Sequence, residues 1–461
     1  MSAIPVIAIF DVGKTNKKLF LFDEHYHIVY EKSARFIETV DEDGDPCENL
    51  ESLELSVFDS LREVFRLKEF KIKAVNFSAY GASLVYVGED GNPVCPLYNY
   101  LKPYPEEISR EFYANYGGKE QFSLETASPV LGNLNSGLQL YRIKKEKPEI
   151  FNKVKFAFHL PQYMSFLLSG KAYSDITSIG CHTGIWNFKK NQYHDWVGLE
   201  HLAAKLAPIV PTDKVFEPLF PGNSYKIGIG LHDSSAALVP YLMNFTEPFI
   251  LISTGTWCIS LNPFNHEPLT ADELKGDCLC YLQYEGKPVK ASRIFSGFEH
   301  EQQVKRIVKH FNTDIIKYRN VVFNPEIIES LKAKDAGSFS SAVKKESVFG
   351  PRDLADFKDD VEAYHQLMID LVHLQVNSTN LVLKGTSVKR IFVDGGFSKN
   401  NVYMNLLAIA YPEIEVFGAS MAQSTALGAA IILHKSWNIK PLPSNLIELN
   451  YYVSTAYTPS K

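Results

Sequence analysis

Four short stretches of the chain carry side chains suited to work on a phosphate. In DVGKTNKK (11–18) an apolar run, VIAIF (6–10), gives way to Asp11, Gly13, Lys14, Thr15 and Asn16, and LFLF (19–22) follows. Gly13 tolerates dihedrals closed to other residues and leaves room for a bulky anion. Successive backbone N–H groups in such a turn form an anion-binding concavity, and Lys14, Lys17 and Lys18 add positive charge. Asp11 fits that company only with a divalent cation between it and the phosphates; the plain alternative is a polar hairpin with solvated lysines. STGTW (253–257) repeats the arrangement without a carboxylate, offering Thr254, Gly255 and Thr256 between two apolar runs. In GLHDSSAALVPYL (230–242), His232 and Asp233 precede a run of small residues that reads as a helix start. Asp233 there is either an N-cap or a carboxylate placed to take a proton from an attacking hydroxyl, the one piece of acid–base help phosphoryl transfer needs. Finally, FVDGGFSKNN (392–401) places Gly395 and Gly396 where a ligand can approach the backbone closely, and Asn400 follows. Its spacing is neither a dinucleotide fingerprint nor a P-loop.

The elements that must position these groups read as strands and helices in alternation. VIAIF (6–10), KKLFLFD (17–23) and HIVYEKSARFIE (27–38) are short, rich in β-branched or aromatic residues and closely spaced, so neighbours are expected to be antiparallel. LESLELSVFDSLREVFRL (50–67) has apolar residues at helical spacing, and KAVNFSAY (73–80) and SLVYVGED (83–90) return to strand character. Residues 105–230 read as mostly helical. Near residue 245 the pattern begins afresh: strand, Gly/Thr turn, strand, a hairpin at CLCYLQYEGKPVKAS (278–292), a helix at 299–311, then strands and helices in alternation. The expected fold class is α/β, with two like domains, 1–245 and 246–461, facing each other across a ligand cleft.

Bulk properties narrow the function. A chain of 461 residues exceeds the size at which one core keeps growing. Net charge is −6 with no basic block, which argues against nucleic acid as partner. No apolar run approaches a membrane span, and MSAIPVIAIF lacks the basic start of a signal peptide. The six cysteines complete no zinc spacing in sequence, so buried structural thiols, Cys278 and Cys280 on one face of a strand, and a reduced cytoplasmic protein are expected.

Order and spacing of these stretches together resemble the FGGY family of carbohydrate kinases, within the wider sugar-kinase, chaperone and actin superfamily. The resemblance implies two actin-like (ribonuclease H-like) domains with mixed sheets around a central nucleotide and sugar cleft. It implies ATP as donor and Mg2+ as cofactor, with Asp11 on the metal through water, and Gly13, Lys14, Thr15, Asn16 and Lys18 near the nucleotide phosphates. Thr254, Gly255 and Thr256 would hold phosphates from the opposite domain, and Gly395, Gly396 and Asn400, with STALGAA (424–430), the adenosine side. Asp233 would be the general base. HDSSAA (232–237), the tryptophan of STGTW and YGASLVYVGEDG (80–91) are most similar to rhamnulokinase-type ketose kinases, which implies Gly81 and His232 at the sugar. Lys14, Ser83, Tyr98-Asn99-Tyr100 and Gln423-Ser424 depart from the family pattern. The expected partners are a small sugar and ATP, with a homodimer left open. The rival readings are a non-catalytic sugar sensor and a nucleotide-switched scaffold.

Overall fold

The structure is a computed structural model that describes residues 3–14, 17–34, 38–219, 224–334, 348–421 and 423–453. Its first sheet runs in the order Val215–Phe216, Lys226–Gly228, Phe70–Ala79, Ile4–Val12, Lys17–Asp23, Ile28–Ala34, with Leu231–His232 also paired to Phe70–Ala79. The three N-terminal strands are antiparallel to one another, as their short connections require. Phe70–Ala79 returns parallel to Ile4–Val12 after the helix Leu50–Arg66.

VIAIF is apolar throughout because both faces of its strand are covered. Val6, Ala8 and Phe10 pack toward Leu53, Val57, Leu61 and Val64 of the helix Leu50–Arg66, which buries the stripe its spacing predicts. Ile7 and Ile9 face the other way, into a core with Leu231, Ala236, Ala426 and Ile431.

The second sheet runs Cys278–Leu282, Pro288–Ile294, Cys258–Asn262, Phe249–Thr254, Arg390–Gly395, Glu415–Ser420, Glu448–Tyr452. Here too the first strand of the unit pairs antiparallel with the next and parallel with a later one. Ile250 and Ile252 pack in a core with Leu367, Met368 and Leu371 of the 24-residue helix Asp360–Leu383. Phe249 and Leu251 share a core with Leu238 and Tyr241. The fold is therefore α/β with two mixed sheets of matching plan. The helix Asp233–Asn244 joins them, because Ala236 and Val239 belong to one core and Leu238 and Tyr241 to another.

Some local expectations shift. SLVYVGED contributes only Leu84–Val87, which pairs with Phe156–His159 outside the main sheet. The helix expected at 299 begins at Ser296, and 278–292 does form an antiparallel hairpin. All six cysteines are free thiols. Among the described residues no helix is long and apolar enough to cross a membrane.

Candidate active site

Strand register brings the first and third of the four stretches together. Asp11, near the end of Ile4–Val12, lies opposite Ser78, and Ser78 in turn pairs with Leu231. His232 and Asp233 follow at once, so Asp11 and Asp233 meet at the carboxyl ends of parallel strands, the edge where open α/β sheets bind ligands. Asp233 is the first residue of its helix, and the N-cap position belongs to His232. The N-cap alternative for Asp233 is thus replaced: its Oδ1 accepts the Ser234 backbone N–H at 2.6 Å, leaving carboxylate oxygen free for other work.

The two carboxylates lie close enough for the charge of Asp233 to act on Asp11. Burial pushes the carboxyl of Asp233 up to about 6. Burial, and then the nearby charge of Asp233, do the same for Asp11, against the opposing pull of the Thr425 hydroxyl. Thr425 Oγ1 donates to Asp11 Oδ2 at 2.7 Å, so a residue of the second half fixes the carboxylate of the first. His232 Nε2 is 3.2 Å from Asp233 Oδ1, and burial holds the imidazole down to about 3, so the ring stays neutral.

Gly81 is required by this packing. A Cβ there would lie 2.3 Å from Cys181 Sγ and 2.7 Å from His232 Cδ2. Lys14 lies to one side, its ammonium 3.5 Å from Glu48 Oε1 and over the rings of Tyr80 and Tyr100. Lys17 pairs with the other Glu48 oxygen at 2.8 Å, and Lys18 with Glu31 at 2.7 Å. Gly13 begins the turn, and Thr15 and Asn16 lie outside the described residues.

The second turn is built from backbone. Thr254 Oγ1 donates to the Asp394 carbonyl at 2.6 Å and accepts the Phe397 N–H at 3.0 Å, which ties STGTW to DGGF. Gly255 N donates to the Trp257 carbonyl, and the Thr256 carbonyl accepts the Phe298 N–H. Gly395, at φ +90°, lets its strand approach so closely that a Cβ would lie 2.0 Å from the Thr254 carbonyl. Thr254, Gly255, Gly396 and Asn400 line a cavity of about 690 Å³ together with Gly297, His300, Tyr318 and Arg319. Asn400 also caps the helix Asn401–Ala410 by accepting the Tyr403 N–H, and its Nδ2 donates to Tyr364 Oη.

Comparison with known proteins decides what this plan belongs to. Residues 6–239 match the N-terminal domain of the FGGY family of carbohydrate kinases, and residues 246–441 match the carbohydrate kinase FGGY C-terminal domain. The chain belongs to the FGGY family of carbohydrate kinases. A rhamnulokinase of Oceanobacillus iheyensis is 21% identical over 397 residues, 78% of this chain and 77% of that protein. A rhamnulokinase of Halalkalibacterium halodurans is 27% identical over 171 residues, 36% of this chain and about a third (33%) of that protein's length. The crystal structure of a carbohydrate kinase from Novosphingobium aromaticivorans superposes with a TM-score of 0.80 at 21% identity, covering 98% of this chain and 94% of that one.

The FGGY fold thus gathers Asp11, Gly81, His232 and Asp233 at one sheet edge, and Thr254, Gly255, Gly396 and Asn400 around one cavity. Thr425 has no signal in STALGAA, because a threonine in a small-residue helix carries no sign of a distant carboxylate. Glu48, Cys181, His182 and Tyr281 likewise reach the site from segments with no recognisable spacing.

Proposed function

We propose that this FGGY kinase transfers the γ-phosphoryl group of ATP to a hydroxyl, a primary one, of a small ketose or deoxyketose, with Asp233 as general base. The carrying observation is Asp233 itself, a carboxylate 30% exposed at the carboxyl edge of the sheet, with its proton affinity raised toward neutrality. Such a group is ionised at neutral pH and basic enough to accept a hydroxyl proton as the oxygen attacks phosphorus. Similarity to two rhamnulokinases supports the ketose class.

Asp11 suits a magnesium ion, since two carboxylates in one poorly solvated place favour a cation between or beside them. Bound there, the ion would neutralise charge on the β- and γ-phosphates. Gly13, Lys14, Thr15, Asn16 and Lys18 would face the phosphates from one side, and Thr254, Gly255 and Thr256 from the other. Gly395, Gly396 and Asn400 would border the adenosine, and Gly81 and His232 the sugar. We assign these roles to domains 1–245 and 246–461 of a cytoplasmic enzyme.

A panel of ketoses, aldoses and polyols in an ADP-release assay tests the reading. Release that depends on a ketose supports it. ATP hydrolysis indifferent to sugar would indicate a nucleotide switch instead, and sugar binding without turnover a sensor.

A further inference from the structure

We propose that Cys181, His182 and His232 form a site for a borderline divalent cation, Zn2+ being the type, beside Asp233. One ligand atom from each of the three residues lies within 4.8 Å of the other two. Closing to zinc bond lengths, about 2.3 Å to sulfur and about 2.0 Å to nitrogen, takes side-chain adjustments of roughly 1 Å. Cys181 Sγ and His232 Nε2 border the same backbone, because a Cβ on Gly81 would be 2.3 Å from the first and 3.1 Å from the second.

Proton accounting supplies an independent reason for a positive centre here. The single hydroxyl proton of Ser235 goes to the Leu282 carbonyl at 3.0 Å. Its 3.3 Å contact with His232 Nδ1 therefore uses Nδ1–H as donor. Nε2 is left with a lone pair, and 3.2 Å away stands Asp233 Oδ1, another acceptor. Two acceptors face each other only with a proton or a metal between them. His182 adds a buried Nδ1 that has no hydrogen-bond partner. Ser235, holding the far nitrogen of His232, is the outer-shell support that metal-bound imidazoles use.

Thiolate and imidazole select zinc or cobalt over magnesium, which prefers oxygen. Binding would form bonds from the metal to Sγ and two ring nitrogens. The Cys181 thiol proton, and any proton that Asp233 holds toward His232 Nε2, would pass to solvent. Occupancy would then crowd the sugar hydroxyl away from Asp233, a consequence that rests on the kinase reading above.

Metal binding is measured on the full chain, freed of metal, by titrating Zn2+ against a competing fluorescent chelator. The expected result is one Zn2+ per chain, with Kd weakened at least about tenfold in both Cys181→Ser and His182→Gln, the scale on which zinc sites lose affinity. Co2+ in place of Zn2+ should give thiolate-to-metal absorption in the wild type and none in Cys181→Ser. Equal Zn2+ affinity in the wild type and both variants, or a cobalt complex without thiolate absorption, would overturn the site. Sugar-dependent ADP release is followed separately: Zn2+ that binds as expected should slow it competitively with the sugar. Tight binding with unchanged turnover would overturn the overlap with Asp233, and so the base assignment, without touching the metal ligands.

Discussion

The two turns that follow matching strands solve opposite problems. In the first, charge is concentrated: Asp11 at the strand end, and Lys14 and Lys17 on either oxygen of Glu48. In the second, charge is absent, and Thr254, Gly255 and Thr256 are locked by backbone partners from DGGF and from the helix Ser296–Phe311. On the proposed reading, the first half would handle a cation and a proton, and the second would border the phosphates with neutral groups. Neither is sufficient for phosphoryl transfer, and Thr425 on Asp11 and the helix Asp233–Asn244 couple them.

Breaking the charged side should cost most. In Asp233→Asn the Ser234 N–H keeps an oxygen acceptor, so the helix start survives. Sugar phosphorylation should fall by about a hundredfold or more, the scale of a lost general base, while ADP binding measured by calorimetry stays unchanged; retained turnover would remove Asp233 from its role. The same carboxylate sets the pH profile. Its ordinary 3.8 is raised to about 6, so kcat/KM should climb as pH rises toward about 6 and level off above it. Stability runs the other way. The folded state holds the Asp11 and Asp233 protons more tightly than the unfolded chain does, so their contribution is fully present below pH 3.8 and lost as pH rises through about 6. A flat kcat/KM between pH 5 and 7 would contradict the assignment.

Asp11→Asn should be next. Thr425 can still donate to the amide oxygen, so the fold is kept. Turnover should drop about tenfold and half-maximal activity require more Mg2+, the pattern of a weakened metal ligand; an unaltered Mg2+ dependence would place the cation elsewhere.

This contrast explains what could be read from residues alone. The placement of Asp11, His232 and Asp233 at strand ends was legible because short polar interruptions of apolar runs mark strand ends. The fold class was legible for the same reason, through alternating strand and helix patterns repeated from residue 245. Thr425 was not legible, since its partner is 414 positions away and no local pattern encodes that pairing. The resemblance places Thr254 at the phosphates. In the structure its hydroxyl joins two strands, which only the pairing of Thr254 with Gly395 reveals. The Cys181–His182–His232 cluster was invisible for a similar reason: His232 lies fifty positions beyond the adjacent Cys181–His182 pair, and no spacing rule spans a fold.

The neutral side can be probed through its adjacent glycines. Gly395→Ala forces a side chain into left-handed backbone and against the Thr254 carbonyl, a strain of about 1–3 kcal/mol. Tm should fall by a few degrees and ADP should bind more weakly. Gly396→Ala meets nothing within 4 Å, so Tm should hardly move. Equal Tm values for the two variants would refute the view that Gly395 sets the shape of the second turn.

The smallest effect is expected at Lys14, and it sharpens the comparison most finely. Its ammonium lies beside Tyr100, which feels the charge of Asp233, so it is near the chemistry and yet shared with Glu48. Lys14→Thr leaves Lys17 on Glu48, so no buried carboxylate is abandoned and Tm should hold. A partly exposed cation contributes about 1 kcal/mol or less. The nucleotide KM should therefore rise only a few-fold, with kcat nearly constant. A large fall in kcat would make Lys14 part of the transition-state charge balance, and the first turn would then carry its cation in the lysine as well as beside Asp11.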